Sequence, residues 1–255
     1  GEISVATGEF TTAAEIALQN GSLDGWDGSS PNAATDSKFW DTSNEGAKMG
    51  GLTPTQAVTD FVHTQGGKAA KLESGKVDLM GGIFAAASLY TGSFGSTNIW
   101  TQTATVNFGQ SFTARPIALK GFYKYTPNVI NLVKNVPAGV TIVKDQTLDQ
   151  CAIYIALAKK TYTIDNGNQS TFIDFKNDEN IIAYGELPSG AATEGDGYVE
   201  FNIPLKYKNL TDQPTHIIVV CSSSKYGDYM TGGAGSTLYV DDLSLIYDGT
   251  PTIWE

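Results

Sequence analysis

Three groups of residues set a flat ring beside a polar group: Trp40 with Asn44, Tyr123 and Tyr125 flanking Lys124, and the run Lys225-Tyr226-Gly227-Asp228-Tyr229. This pairing suits sugar recognition. A ring covers the C–H face of a pyranose while amides, ammonium groups and carboxylates reach its hydroxyls. On this reading Trp40, Tyr123, Tyr125, Tyr226 and Tyr229 are stacking surfaces, and Asn44, Lys225 and Asp228 are the hydroxyl-reading partners. Core packing is the competing expectation for Tyr123 and Tyr125, which share a strand face with Ile117 and Leu119. Residues 222–235 are polar and Gly-rich without an apolar period, so for Tyr226 and Tyr229 both ligand contact and loop packing stay open. Trp26 and Trp100 sit where alternation points inward, and both are expected in the core.

Other chemistries find less material. Glycoside hydrolysis needs two carboxylates roughly 5 to 9.5 Å apart. Glu73, Glu186, Glu200, Asp228, Asp241 and Asp242 are available, but nothing in the sequence pairs two of them. The histidines, His63 and His216, are far apart and have no Cys partner at zinc spacing. No G-x-S-x-G elbow accompanies them. The run from Gly232 to Ser236 lacks the Lys-Ser/Thr of a phosphate loop and reads as a tight turn into a last strand. Calcium is the one metal to carry, as a structural ion. Asp241-Asp242 and the turn Asp165-Asn166-Gly167-Asn168 supply hard oxygens, and adjacent strand residues face opposite ways, so Asp241 is the nominated ligand.

The elements that must position these residues are strands. Alternation places Trp100, Ala104, Val106 and Phe108 on one face, Cys151, Ile153, Ile155 and Leu157 on another, and Val199, Phe201, Ile203, Leu205 and Tyr207 on a third. Further strands fit 68–73, 116–125, 216–222 and 237–247. Thr53-Pro54-Thr55-Gln56 has the form of a helix start, yet the AVTDFVH that follows is good strand sequence, and a strand or extended loop is favoured. Residues 1–22 read as an N-terminal arm in which TTAAEIALQN could form a short helix; 23–255 read as a single domain. Many strands without alternating helices predict an all-β jelly-roll sandwich of two antiparallel sheets. Cys151 and Cys221 lie in apolar runs and are expected as buried free thiols.

Charge narrows the partners. The net charge of −11 comes from 27 acidic residues against 16 scattered basic ones, which disfavours nucleic acid and anionic membrane surfaces. No apolar run approaches the roughly 20 residues of a transmembrane helix. Gly1 in place of Met reads as a cleavage scar, with any signal or anchor already removed.

Several segments, in order, resemble the putative carbohydrate metabolism domain family of surface and secreted proteins from polysaccharide-degrading gut bacteria. They are LDGWDG (23–28), FWDTSNEG (39–46), GGKAAKLES (66–74), AAASLYTGSFG (85–95), NFGQSFTARPIALKGFYKYTP (107–127), DQCAIYIAL (149–157), IAYGEL (182–187), FNIPLKY (201–207) and SSSKYGDYMTGGAGSTLYVDDLSLIYD (222–248). The resemblance implies a jelly roll like that of carbohydrate-binding modules and an exported protein, often an outer-membrane lipoprotein. The expectation is non-catalytic binding of extracellular poly- or oligosaccharide in support of glycan capture or degradation, with other surface glycan-utilisation proteins as further partners. A glycoside hydrolase or lyase with a carboxylate pair and a structural or adhesive protein binding another protein are the alternatives.

Overall fold

The computed structural model describes residues 14–78, 82–98 and 100–254. In chain order its strands are β1 (Trp40–Thr42), β2 (Thr55–Val58), β3 (Ala69–Glu73), β4 (Gly75–Val77), β5 (Ile83–Ala85) and β6 (Ser88–Asn98). Then come β7 (Thr103–Phe108), β8 (Gln110–Ser111), β9 (Ala118–Thr126), β10 (Ala152–Ala158), β11 (Tyr162–Asp165) and β12 (Ile181–Glu186). The last are β13 (Val199–Pro204), β14 (Lys206–Tyr207), β15 (His216–Ser222), β16 (Thr237–Ile246) and β17 (Thr252–Ile253). One short helix, α1 (Asn44–Ala47), follows β1.

The architecture is an all-β jelly-roll sandwich. The larger sheet runs β11-β7-β6-β15-β10-β12-β14-β17, with β1 on β6 and β8 on β15; the smaller runs β13-β9-β16-β3-β2. Pairing is antiparallel throughout both sheets except between β14 and β17. A separate β4–β5 hairpin stands beside the larger sheet. Thr55–Val58 is a strand, as favoured above, with the Thr55 side chain fully buried.

The core between the sheets collects the alternating sets. Cys151, Ile153, Ile155 and Leu157 of β10 meet Leu119 and Tyr125 of β9, and Leu238 and Val240 of β16. Trp26 packs against this core. Leu18 is buried in it too, and the Leu243 amide donates to the Gly21 carbonyl, which fastens residues 18–21 onto β16. The described part of TTAAEIALQN forms no helix. Both cysteines are buried and free, and burial pushes the Cys151 thiol up to about 12.

The two central strands of the larger sheet, AIYIALA and HIIVVCS, are near-continuous apolar runs rather than polar/apolar alternations. Such runs belong to sheets covered on both faces. A second cluster explains them. On the outward side, Ala156, Ala158, Ile218 and Val220 pack with Tyr90, Phe108, Tyr162 and Ile164, and Phe172, Ile173 and Phe175 from the segment after β11 lie against them. That cover is partial, and where it stops the sheet opens into a cleft.

Candidate functional site

The cleft has a volume of about 490 Å³ and sits on the outward face of the larger sheet. Its floor is Tyr90 from β6, Val106 and Phe108 from β7, Ala152 and Tyr154 from β10, and Val220 from β15. One wall is Ala47, Met49 and Gly50 after β1 together with Val77, Phe84 and Ala86 around the hairpin. The other is the end of β11, with Ile164 and Asn166. The β6–β7 turn, carrying Trp100, and residues 224–230 form the mouth.

Local sequence explains both halves of the mouth. The Asn98 side chain accepts from the amides of Trp100 (3.0 Å) and Thr101 (3.2 Å), an Asx turn that satisfies the chain reversal locally. Trp100 is therefore 81% exposed. The expectation of a core Trp100 fails because the alternation was read through a turn: β7 begins only at Thr103. The face itself was real, since Trp100, Ala104, Val106 and Phe108 all line the cleft. They look outward, not between the sheets.

Residues 222–236 are held from beneath by a buried polar network. Asp149, 1% exposed, accepts from Ser224 Oγ at 2.6 Å, the Gly233 amide at 2.7 Å and Ser236 Oγ at 3.1 Å. Ser74 Oγ lies 2.6 Å from Ser223 Oγ and 2.9 Å from Ser224 Oγ. Desolvation raises the pKa of Asp149, and these hydrogen bonds oppose the rise. Above the network a 3-10 turn over Gly227–Tyr229 presents Asp228. A Cβ on Gly227 would come within 2.5 Å of Ala86 Cβ, so glycine permits the turn to abut the opposite wall.

Lys225 and Asp228 both line the cleft, and both are exposed to it. The Asp228 carboxyl is open to the cleft yet ringed by protein, and that enclosure raises its pKa to about 6. Asp228 is the one carboxylate lining the cleft among the described residues.

The remaining predicted site residues are placed elsewhere. Trp40 is fully buried in the core, with Nε1 donating to the Gln19 carbonyl at 2.7 Å, so it offers no stacking surface. Asn44 bonds both backbone polar groups of Thr55, donating to its carbonyl at 2.7 Å and accepting from its amide at 2.8 Å, and so ties α1 to β2. Tyr125 is fully buried, its hydroxyl donating to the Ser223 carbonyl at 2.9 Å. Tyr123 is half-buried against the core, edge-on to Phe201 at 5.7 Å. Even strand periodicity turns both tyrosines inward with Leu119, which is why neither is a platform. Tyr226 is half-buried beside the cleft and Tyr229 packs edge-on against Phe172 at 5.1 Å.

Of the six candidate carboxylates, Glu73 pairs with Lys71 and Glu200 with Lys120 on the smaller sheet. Glu186 accepts from the Tyr184 hydroxyl at 3.2 Å. Asp241, the nominated calcium ligand, is 2% exposed, and its oxygens accept from the amides of His63 (2.7 Å) and Asp242 (2.8 Å). Its carboxylate caps a loop. Among the described residues no group of three or more His, Cys, Asp or Glu side chains could hold a metal. No described helix is long and apolar enough to cross a membrane.

Sequence reasoning missed Tyr90, Phe94 and Tyr154. The signal that could have found them is the near-continuous apolar character of β10 and β15, which calls for a covered outer face.

The sequence model of the putative carbohydrate metabolism domain matches residues 15–246. A solved structure described as a putative glycoside hydrolase from Bacteroides thetaiotaomicron is 24% identical, with a TM-score of 0.62 over 83% of this chain; this chain spans 63% of that protein's length. A second, described in the same words and from Bacteroides vulgatus, is 25% identical with a TM-score of 0.61, covering 84% of this chain and 88% of that one. No curated protein matches.

Proposed function

The chain belongs to the putative carbohydrate metabolism domain family, and from that premise we propose that the cleft binds an oligosaccharide or a segment of polysaccharide without cleaving it. The observation that carries this reading is the mouth of the cleft, where an exposed indole at Trp100 stands with the charged groups of Lys225 and Asp228. Trp100 is the stacking surface, Lys225 and Asp228 read hydroxyls, and Tyr154 lies within the site. The protein works outside the cell, as a secreted or surface-anchored lipoprotein, capturing glycan for degradation by other proteins.

Native affinity gels against a broad polysaccharide panel test it, with reducing-end release measured on the same samples. Wild type is retarded by at least one glycan, and Trp100→Ala abolishes the retardation. Equal retardation of the variant, or none for wild type, overturns the reading.

Hydrolysis is the second reading, favoured by one observation: the raised pKa of Asp228 suits a general acid near neutral pH. It lacks a second carboxylate among the described residues lining the cleft. Reducing ends released by wild type and not by Asp228→Asn would replace binding with hydrolysis.

A further inference from the structure

The polarity of the cleft changes with depth. At the mouth Trp100, Lys225, Asp228, Thr97 and Asn98 are all exposed. At the bottom Tyr90 is 1%, Val220 4% and Phe108 5% exposed, and each offers carbon or an engaged hydroxyl. The Tyr90 hydroxyl donates to the Thr42 carbonyl. Serines that nominally line the interior are engaged inside the protein. Ser43 Oγ accepts from the Ser88 amide, Ser222 Oγ donates to the Ser224 carbonyl, and Ser224 Oγ donates to Asp149.

A bare pyranose carries hydroxyls around its whole rim. Seated deep in this cleft, it would lose water from several of them and find few partners, which is unfavourable. An apolar group there loses nothing and gains contact with the floor. The volume of about 490 Å³ is that of a pocket for a compact ligand of one or two rings.

Resting on the glycan reading above, we propose that the cleft selects saccharides bearing an apolar substituent, an aryl or acyl group, with the substituent on the floor between Tyr90, Tyr154 and Val220. The sugar stays at the mouth, against Trp100 and within reach of Lys225 and Asp228. Ligand class is then set by two zones: the floor demands the substituent, and the mouth demands the sugar.

Isothermal calorimetry on the full chain tests this with matched pairs, the methyl and phenyl glycosides of common hexoses and pentoses, and with phenol alone. The phenyl glycoside of at least one sugar binds tenfold or more tighter than its methyl partner, and phenol binds at least tenfold more weakly than that phenyl glycoside. Ala152→Phe, which fills the floor, removes the advantage of the phenyl group; if that variant does not fold, the wild-type ratio decides alone. Equal affinity within each pair overturns the substituent proposal and leaves the glycan reading standing. Phenol binding as tightly as the phenyl glycosides removes the sugar from the recognised ligand and overturns both. No binding by any pair overturns the substituent proposal, while retardation on the polysaccharide gels decides the glycan reading separately.

Discussion

Residues 61–64 lie across part of the smaller sheet's outward face, over Phe122 and Tyr239, whereas the larger sheet's stands open over β6, β7, β10 and β15. Both faces carry rings beside carboxylates. On the smaller sheet the His63 ring stacks on Phe122 at 3.5 Å, and its Nδ1 lies 2.7 Å from Asp242 Oδ2, which also accepts from Thr64 Oγ1 at 2.6 Å. Phe61 lies 4.8 Å from both Tyr198 and Tyr239. These rings face one another, and the Asp242 carboxylate is engaged by His63 and Thr64. On the larger sheet Trp100, Lys225 and Asp228 border empty space. Composition alone therefore does not make a site here. What separates the faces is whether a loop closes over them, since polar groups already bonded within the protein have less to offer a ligand.

Two tryptophans make the sharpest test. Trp40→Ala removes a fully buried ring and costs about 3–5 kcal/mol in denaturant unfolding. Trp100→Ala changes stability by no more than about 0.5 kcal/mol, since nothing packs over an exposed indole. Comparable losses in the two variants would place Trp100 in the fold and break the contrast. Next in size is Asp149→Ala, which strips a buried carboxylate from three donors on one oxygen. It costs about 3 kcal/mol. It also loosens the segment that presents Lys225 and Asp228, so binding weakens with stability. A variant of full stability would show that the network bears no load.

The closed face gives the third prediction. His63→Ala removes one ring stack and one hydrogen bond, a loss of about 1 kcal/mol, and leaves glycan retardation unchanged. Weakened retardation would mean that the smaller sheet also takes part in binding.

Much of this division was legible in the residues. The every-second-residue sets of β9, β10 and β13 were readable as the core, and the sequence blocks resembling the family defined the jelly roll. Lys225 and Asp228 could be nominated because they are polar groups set beside the rings of Tyr226 and Tyr229 in a Gly-rich run without an apolar period. Trp40 and Asn44 could not be sorted from sequence, because their hydrogen-bond partners are residues 19 and 55, distant contacts that periodicity does not encode. Trp100 was misplaced for a local reason: an Asx turn at Asn98 reverses the chain within a stretch that reads as one strand, and β7 begins only at Thr103. Tyr154 was hidden because its neighbours are apolar in both directions, and a ring within such a run looks like core until the covering segment is seen to stop short.

The smallest effect expected concerns pH and belongs to the open face. A carboxyl whose pKa is higher in the folded chain than in the unfolded one holds its proton more tightly when folded, so stability falls as pH rises between the two values. For Asp228 that window runs from the ordinary 3.8 to about 6. Asp149 and Asp241 are raised as well, chiefly by desolvation, so wild type loses stability across this range for more than one reason. The quantity to measure is therefore a difference. Denaturant midpoints of wild type and Asp228→Asn, taken from pH 4 to 7, converge toward the acid end and separate toward neutrality, with the variant the more stable there. Parallel curves would mean that water in the cleft solvates the Asp228 carboxylate fully. The open face would then lack the enclosure that sets it apart from the closed one.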